Sequence, residues 1–219
     1  GGTYTGAFDG GTMIDFFNTT FSVAENPSKT GINQSERVLA RSGQGGCHTY
    51  APQDPNWSNY IWEFDYLYKS STPVEQNKGN SVSFIAYSQN DADNLKTGYP
   101  YQPLGYWFVI NEAQSALQIR KATAQKGVTD PANRLLAEIK LDAEELAEFT
   151  NSDRWHSIRI CVQSGSAGAN LSFSIDDGAY ELTATDASGA YTGGTFAYNV
   201  METDFYLDNI RISSIAESP

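Results

Sequence analysis

The sequence predicts an all-β chain whose strands form two antiparallel sheets packed face to face, and three observations carry that expectation. Apolar and polar residues alternate over short runs, most clearly from Asn59 to Tyr68, where Trp62, Phe64, Tyr66 and Tyr68 share one face and Ile61, Glu63, Asp65 and Leu67 the other. Gly, Pro, Asn and Asp punctuate these runs as turn formers. The composition is 13% aromatic with 13 Tyr and 19 Gly, against only 18% charged residues, which suits half-buried strands and many turns.

The elements follow in order. Phe8-Asp9-Gly10-Gly11 makes a turn before a short run through Met13, Ile14, Phe16 and Phe17. Thr20 to Glu25 alternates and stops at Asn26-Pro27, and Ser35 to Arg41 supplies a strand with a short Val38-Leu39-Ala40 core. Cys47 to Asn59, with Pro52 and Pro55, reads as a loop. After the strand Asn59 to Tyr68 come Ser81 to Tyr87, Gly105 to Asn111, Ala116 to Ala122 and Arg134 to Leu141. One short helix is expected where Asp142 caps the free N–H groups and Glu145, three residues on, completes a capping box. Trp155 to Val162 alternates again. Leu171, Phe173 and Ile175 lead into Asp177-Gly178, a turn that accepts positive φ, and Tyr180 to Thr183 returns as a hairpin. Thr195 to Val200 reads as an edge pairing, and Phe205 to Ile212 closes the set.

About twelve strands without repeating strand–helix pairs argue for a jelly-roll sandwich over a parallel α/β fold, with a β-barrel as the nearest competitor. No repeat or linker divides residues 1–219, so a single domain is expected. Such a chain buries roughly 70% of its extended surface and needs no metal or disulfide to hold a core. The formal charge of -12 repels phosphate backbones and anionic lipid, so nucleic acid is excluded as a partner. No apolar run is long enough to form a transmembrane segment. Gly1, without a charged and apolar leader, reads as the start of a trimmed chain.

Three stretches resemble the carbohydrate-binding modules and concanavalin-like jelly rolls of exported bacterial polysaccharide-processing proteins, particularly of Bacteroidetes. They are Phe8-Asp9-Gly10, the segment Glu25-Asn26-Pro27-Ser28-Lys29-Thr30-Gly31-Ile32-Asn33-Gln34-Ser35 with Val38-Leu39, and Phe205-Tyr206-Leu207-Asp208-Asn209-Ile210-Arg211-Ile212. Trp155-His156-Ser157-Ile158-Arg159-Ile160 with the Ser174 to Gly178 hairpin resembles the central strands of laminin-G-like and lectin-like sandwiches. The resemblance implies adjacent first and last strands with a structural calcium between them, on Asp9 and Asp208 with Glu25 as a weaker ligand, and an extracellular, periplasmic or outer-membrane-surface location. Calcium chemistry accepts such a set, with carbonyls filling six to eight oxygen positions; the competing reading leaves both aspartates as turn and strand-end residues.

Glu63 and Asp65, two apart on one strand, point from the same face, as the paired carboxylates of glycoside hydrolysis must. Glu63-Phe64-Asp65 resembles the start of the catalytic strand of jelly-roll endoglucanases, but the second glutamate of that pattern is Tyr68 here. Aromatic rings that could lie against a pyranose face are Tyr50, Trp57 and Tyr60 in one loop region, and Tyr99 and Tyr101 with Trp107 in another; ordinary packing is the alternative for each. His48 and His156 have neither metal spacing nor a triad pattern. Cys47 and Cys161 are either two free thiols or a bridge, the latter only if their strands are neighbours. Noncatalytic binding of a polysaccharide or glycan is the first functional expectation. A glycoside hydrolase or polysaccharide lyase on the same fold is the second, and a cell-surface adhesion domain with protein partners the third.

Overall fold

The computed structural model describes residues 3–5, 11–15, 20–42, 47–52, 57–73, 79–89, 104–123 and 132–215. Among them fifteen strands and one helix form two antiparallel sheets. The first sheet, A, runs β13 (Tyr180–Asp186), β12 (Gly168–Ile175), β11 (His156–Gly165), β6 (Tyr60–Ser71), β15 (Thr203–Ser214), β4 (Arg37–Ser42) and β3 (Thr20–Glu25). A short β1 (Thr3–Thr5) pairs with the far end of β15, so the first and last strands are neighbours as expected. The second sheet, B, runs β10 (Ala132–Lys140), β9 (Ala116–Thr123), β8 (Gly105–Asn111), β7 (Ser81–Ser88), β14 (Thr195–Met201), β5 (Cys47–Pro52) and β2 (Gly11–Asp15).

Strand alternation places the core between the sheets. Trp62, Phe64 and Tyr66 of β6 point inward and are buried. They meet Phe84 of β7 and Phe196 and Tyr198 of β14, with ring centroids 4.6 Å apart for Phe64 and Phe84 and 5.0 Å for Trp62 and Phe196. Most of these rings meet tilted or edge-on, the arrangement that their quadrupoles favour. The expectation that the Trp62 face is core therefore holds, with Tyr68 half-buried at its margin.

Two elements differ from the sequence reading. Cys47–Pro52 is a strand, not a loop, because both its neighbours offer ladders: β2 pairs along residues 48–52 and β14 pairs with Cys47 and His48. Its proline sits at the strand end, where a missing N–H costs little. The strand expected at an edge, β14, lies inside sheet B between β7 and β5. Its alternation is sharp because Phe196, Tyr198 and Val200 fill the core while Ala197 and Asn199 face the other way, also buried.

The helix α1 (Ala143–Phe149) forms where expected, with the reciprocal capping box of Asp142 and Glu145, both hydrogen bonds at 2.9 Å. The hairpin is also present. Ile175 faces Tyr180, and Asp176, Asp177 and Gly178 take φ of 54°, 54° and 92°. Gly168, the first residue of β12, has φ of +107°, and a Cβ there would stand 2.1 Å from the Asp186 carbonyl oxygen, so only glycine fits.

Candidate functional site

Alternation that sends Trp62, Phe64 and Tyr66 inward sends Glu63 and Asp65 to the outer face of sheet A. The register aligns two rows of polar side chains across neighbouring strands. One is Ser174, Arg159, Glu63 and Arg211; the other is Ser157, Asp65 and Asp208. Neighbouring strands lie about 4.8 Å apart, and rows two residues apart are separated by about 6.8 Å. The first row and Ser157 and Asp65 of the second, with Asp177 and Asn209, line a groove of ≈ 320 Å³.

Within the first row Glu63 is held on both sides. Arg211 donates to its Oε2 from Nη2 at 2.6 Å and from Nε at 3.1 Å, and Arg159 Nε lies 3.8 Å from its Oε1. Both arginine side chains keep about half their surface in solvent, 54% for Arg211 and 48% for Arg159. A carboxylate flanked by two guanidiniums directs lone pairs to both, and those left over can accept from hydroxyls.

The second row is organised by a residue that the sequence reading passed over. Asn33 is 1% exposed, and its amide nitrogen donates to Asp65 Oδ2 at 3.0 Å and to Asp208 Oδ2 at 2.9 Å. Its oxygen accepts from the Asn26 side chain and the Ser35 backbone, which fixes the amide orientation. A bulge in β15, with Asn209 at φ of 51°, turns the Asn209 amide onto the same Asp65 oxygen at 2.7 Å. Burial, chiefly, raises the Asp65 carboxyl above the usual carboxylate range; the two amide donors oppose that and the Asp208 charge adds to it.

The segment 26–35 thus straps the outer face of sheet A. Trp155 Nε1 donates to the Ser28 carbonyl at 2.8 Å, the Thr30 hydroxyl donates to the Asp153 carbonyl at 2.9 Å, and Trp155 packs with Val38, Leu67 and Tyr206. Two of the stretches on which the resemblance rests, the Asn-Pro segment and the last strand, therefore meet in space through Asn33 and Asp208. The signal available in the sequence was a pair of asparagines bracketing a proline-containing loop, Asn26 and Asn33, but nothing in it named their carboxylate partners.

The other expected site residues fall as follows. Asp208 reaches Asn33, Glu25 is exposed on the edge strand β3 opposite Arg37, and Asp9 lies outside the described residues. Among the described residues no three or more His, Cys, Asp or Glu side chains converge as a metal group, so the described part of the calcium set does not by itself form an ion cage. Of the aromatic platform, the members whose side chains are described, Trp57, Tyr60 and Trp107, are packed in the fold. Tyr60 is 2% exposed, in the core, its hydroxyl accepting the Tyr87 N–H at 2.9 Å. Trp57 is half-buried against Tyr60 and Phe196. Tyr99 and Tyr101 lie outside the described residues, and Tyr50 is on β5.

Trp107 faces outward from sheet B, yet is only 7% exposed, clustered with Ile85, Val109, Ala122 and Ala197. Its position corrects the expectation of an open ring: a large indole gains more from packing than from solvent. Beside it, the wholly buried Gln118 donates to Glu138 at 2.6 Å and Gln114 at 2.9 Å, and Arg120 donates to the Asn133 side chain at 2.7 Å. Gln118 holds the Glu138 carboxyl below its usual range, and burial lowers the Arg120 guanidinium.

His156 is a packed residue. Its Nδ1 lies 2.8 Å from Asp176 and its Nε2 2.9 Å from the Glu148 carbonyl, with the ring stacked on Phe149. His48 sits on β5. Cys161 is a free thiol on the outer face of sheet A, while Cys47 is on β5 in sheet B, so the adjacency a bridge required is not met.

The VIP36 exoplasmic/lumenal domain in its Ca2+/Man3GlcNAc-bound form superposes with a TM-score of 0.56 at 8% identity, over 91% of this chain and 85% of that one. A galectin-like protein of unknown function from Bacillus subtilis gives 0.56 at 14% identity, over 90% of each chain. The legume lectin-like domain from Entamoeba histolytica gives 0.51 at 8% identity, also over 90% of each. The chain has the concanavalin-like jelly-roll fold. No protein-family model and no curated protein matches it at the sequence level. Among the described residues no helix is long and apolar enough to cross a membrane.

Proposed function

We propose that this concanavalin-like protein binds a polysaccharide or glycan without cleaving it. The observation that carries this reading is Glu63, held between Arg159 and Arg211 in an open groove that also presents Asp65, Asp177, Asn209 and two serine hydroxyls. Carboxylates, guanidiniums, an amide and hydroxyls on a rigid sheet are the groups that fix sugar hydroxyls. Glycosidic cleavage needs two carboxyls that face the scissile bond, whereas Glu63 is engaged by Arg211 and Arg159 and Asp65 by Asn33 and Asn209. The sugar-bound VIP36 domain of like fold supports the reading. That domain's exoplasmic or lumenal setting accords with our further proposal of an exported protein, at the surface or in the periplasm of a bacterium.

The adhesion alternative has less behind it: the large apolar side chains exposed among the described residues are Val23, Ile32 and Leu135, too few for a broad protein-binding patch. A structural calcium completed by Asp9 remains a separate proposal.

The test is a polysaccharide array followed by calorimetry, run once in calcium and once in chelator. Saturable binding without release of new reducing ends is expected. Absence of binding by folded protein in both buffers, or the appearance of reducing ends, would overturn the reading. A melting temperature lowered by chelator supports the calcium; identical melts remove it.

A further inference from the structure

We infer that the groove on the outer face of sheet A selects the hydroxyl edge of a neutral saccharide and rejects charged sugars. The inference rests on the carbohydrate-binding reading and names its ligand class. The sign of charge alternates across the strands: Arg159, Glu63 and Arg211 stand in one row, one strand spacing apart, with Ser174 at its end and Ser157 and Asp65 in the row beside it. Donor-only guanidiniums therefore neighbour acceptor-only carboxylates at about 4.8 Å.

A vicinal diol matches that pattern, because each hydroxyl both donates and accepts: one O–H donates to a carboxylate oxygen while its neighbour's oxygen accepts from a guanidinium N–H. A uronate brought to either arginine meets Glu63 between them, with Asp65 and Asp177 on the same wall and a chain of net charge -12 behind. An ammonium brought to Glu63 meets an arginine on each side. Among the described residues the groove's lining contains no outward-facing aromatic ring, since Phe64 is buried inward, so recognition is by hydroxyl edge rather than by stacking on a ring. Selectivity then follows from hydrogen bonding: a sugar lacking one of the hydroxyls desolvates a charged group without replacing the hydrogen bond that it made to water.

The experiment is calorimetry with cello-, laminari-, malto- and mannotetraose as neutral probes, tetragalacturonate as the anionic probe and chitosan tetramer as the cationic one. The probes are titrated into the parent protein, Glu63→Gln and Arg211→Met. At least one neutral probe is expected to bind, to lose at least about tenfold in affinity in each variant, and to outcompete both charged probes. In the parent protein, the Nε–H resonances of Arg159 and Arg211 should shift on titration with that probe, a readout that does not depend on any variant folding. Preference for a charged probe overturns the selectivity. Binding of a neutral probe with unchanged affinity in both variants and unmoved arginine resonances overturns the groove while leaving carbohydrate binding intact. Failure of all six probes while the polysaccharide array still gives binding likewise overturns the inference alone; failure of both sinks the carbohydrate reading itself.

Discussion

The outer faces of the two sheets obey the same alternation and end in opposite states. On sheet A the outward rows carry Glu63, Asp65, Arg159 and Arg211 and border an open groove; on sheet B the outward rows carry Ile85, Trp107, Val109 and the amide of Gln118, and these are buried. Period-2 patterning decides which way a side chain points and is silent on what lies above it. A tryptophan and a glutamate at equivalent outward positions thus have contrary roles, one consolidating the fold and one available to a ligand.

The comparison is broken most directly at Trp107. Trp107→Ala removes a buried indole and should cost about 3–5 kcal/mol of stability by denaturant melt, whereas the outward substitution Arg211→Met on sheet A should stay within about 1 kcal/mol. A tryptophan variant as stable as the parent would mean that both outer faces are solvent-facing.

A smaller effect is expected at the hairpin that brings Asp177 to the groove. Gly178→Val has room, since a Cβ would find only the Glu181 carboxylate at 3.7 Å, but φ of 92° is left-handed. The strain should cost about 1–2 kcal/mol, and unchanged stability would show that the loop relaxes to another turn.

An effect confined to acid sharpens the contrast by titrating a tie between the sheets. Asp186, at the end of β13 in sheet A, binds Lys121 and Tyr106 of sheet B at 2.7 Å each. Burial opposes its ionisation, but Lys121, Tyr106 and Ser188 outweigh that and hold its carboxyl at about 2. Because this folded value lies below the unfolded value of about 3.9, the contribution is complete above pH about 4 and is lost as pH falls through about 2. Melts across that window should decline less steeply for Asp186→Asn than for the parent. Parallel curves would remove Asp186 from the acid response.

Much of this architecture could be read in advance where local chemistry is self-contained. The β6 alternation, the Asp142 and Glu145 capping box and the glycine in the Asp177-Gly178 turn all depend on neighbours within a few residues. What escaped was decided by distant partners. Pro52 argued against a strand at 47–52 because the ladders supplied by β2 and β14 cannot be seen locally. Tyr60 and Trp107 were candidates for a sugar platform because an aromatic residue near a loop has the same local pattern whether it is covered or open. Glu63 and Asp65 were identified as a same-face pair, but their arginine and asparagine partners come from residues 33, 159, 209 and 211. Asn33 had no acidic residue or aromatic character to draw notice, yet it joins carboxylates from two strands far apart in sequence, β6 and β15.

The position of β15 has a consequence for how the protein is made. This strand lies inside sheet A, with β6 on one side and β4 and β1 on the other. During synthesis, β6 therefore emerges well before the partner that occupies one of its two edges, and β4 waits as long for the ladder that joins it to the rest of the sheet. Long-range pairings of this kind close late and fold slowly, leaving unpaired edges that invite association with other chains. β15 must emerge before the two halves of sheet A can join through it, and the Asn33 bridge to Asp208 can form only after that. Completion of sheet A thus waits for β15, and a nascent chain stalled before it would present its tyrosine-rich strands to chaperones instead of to each other.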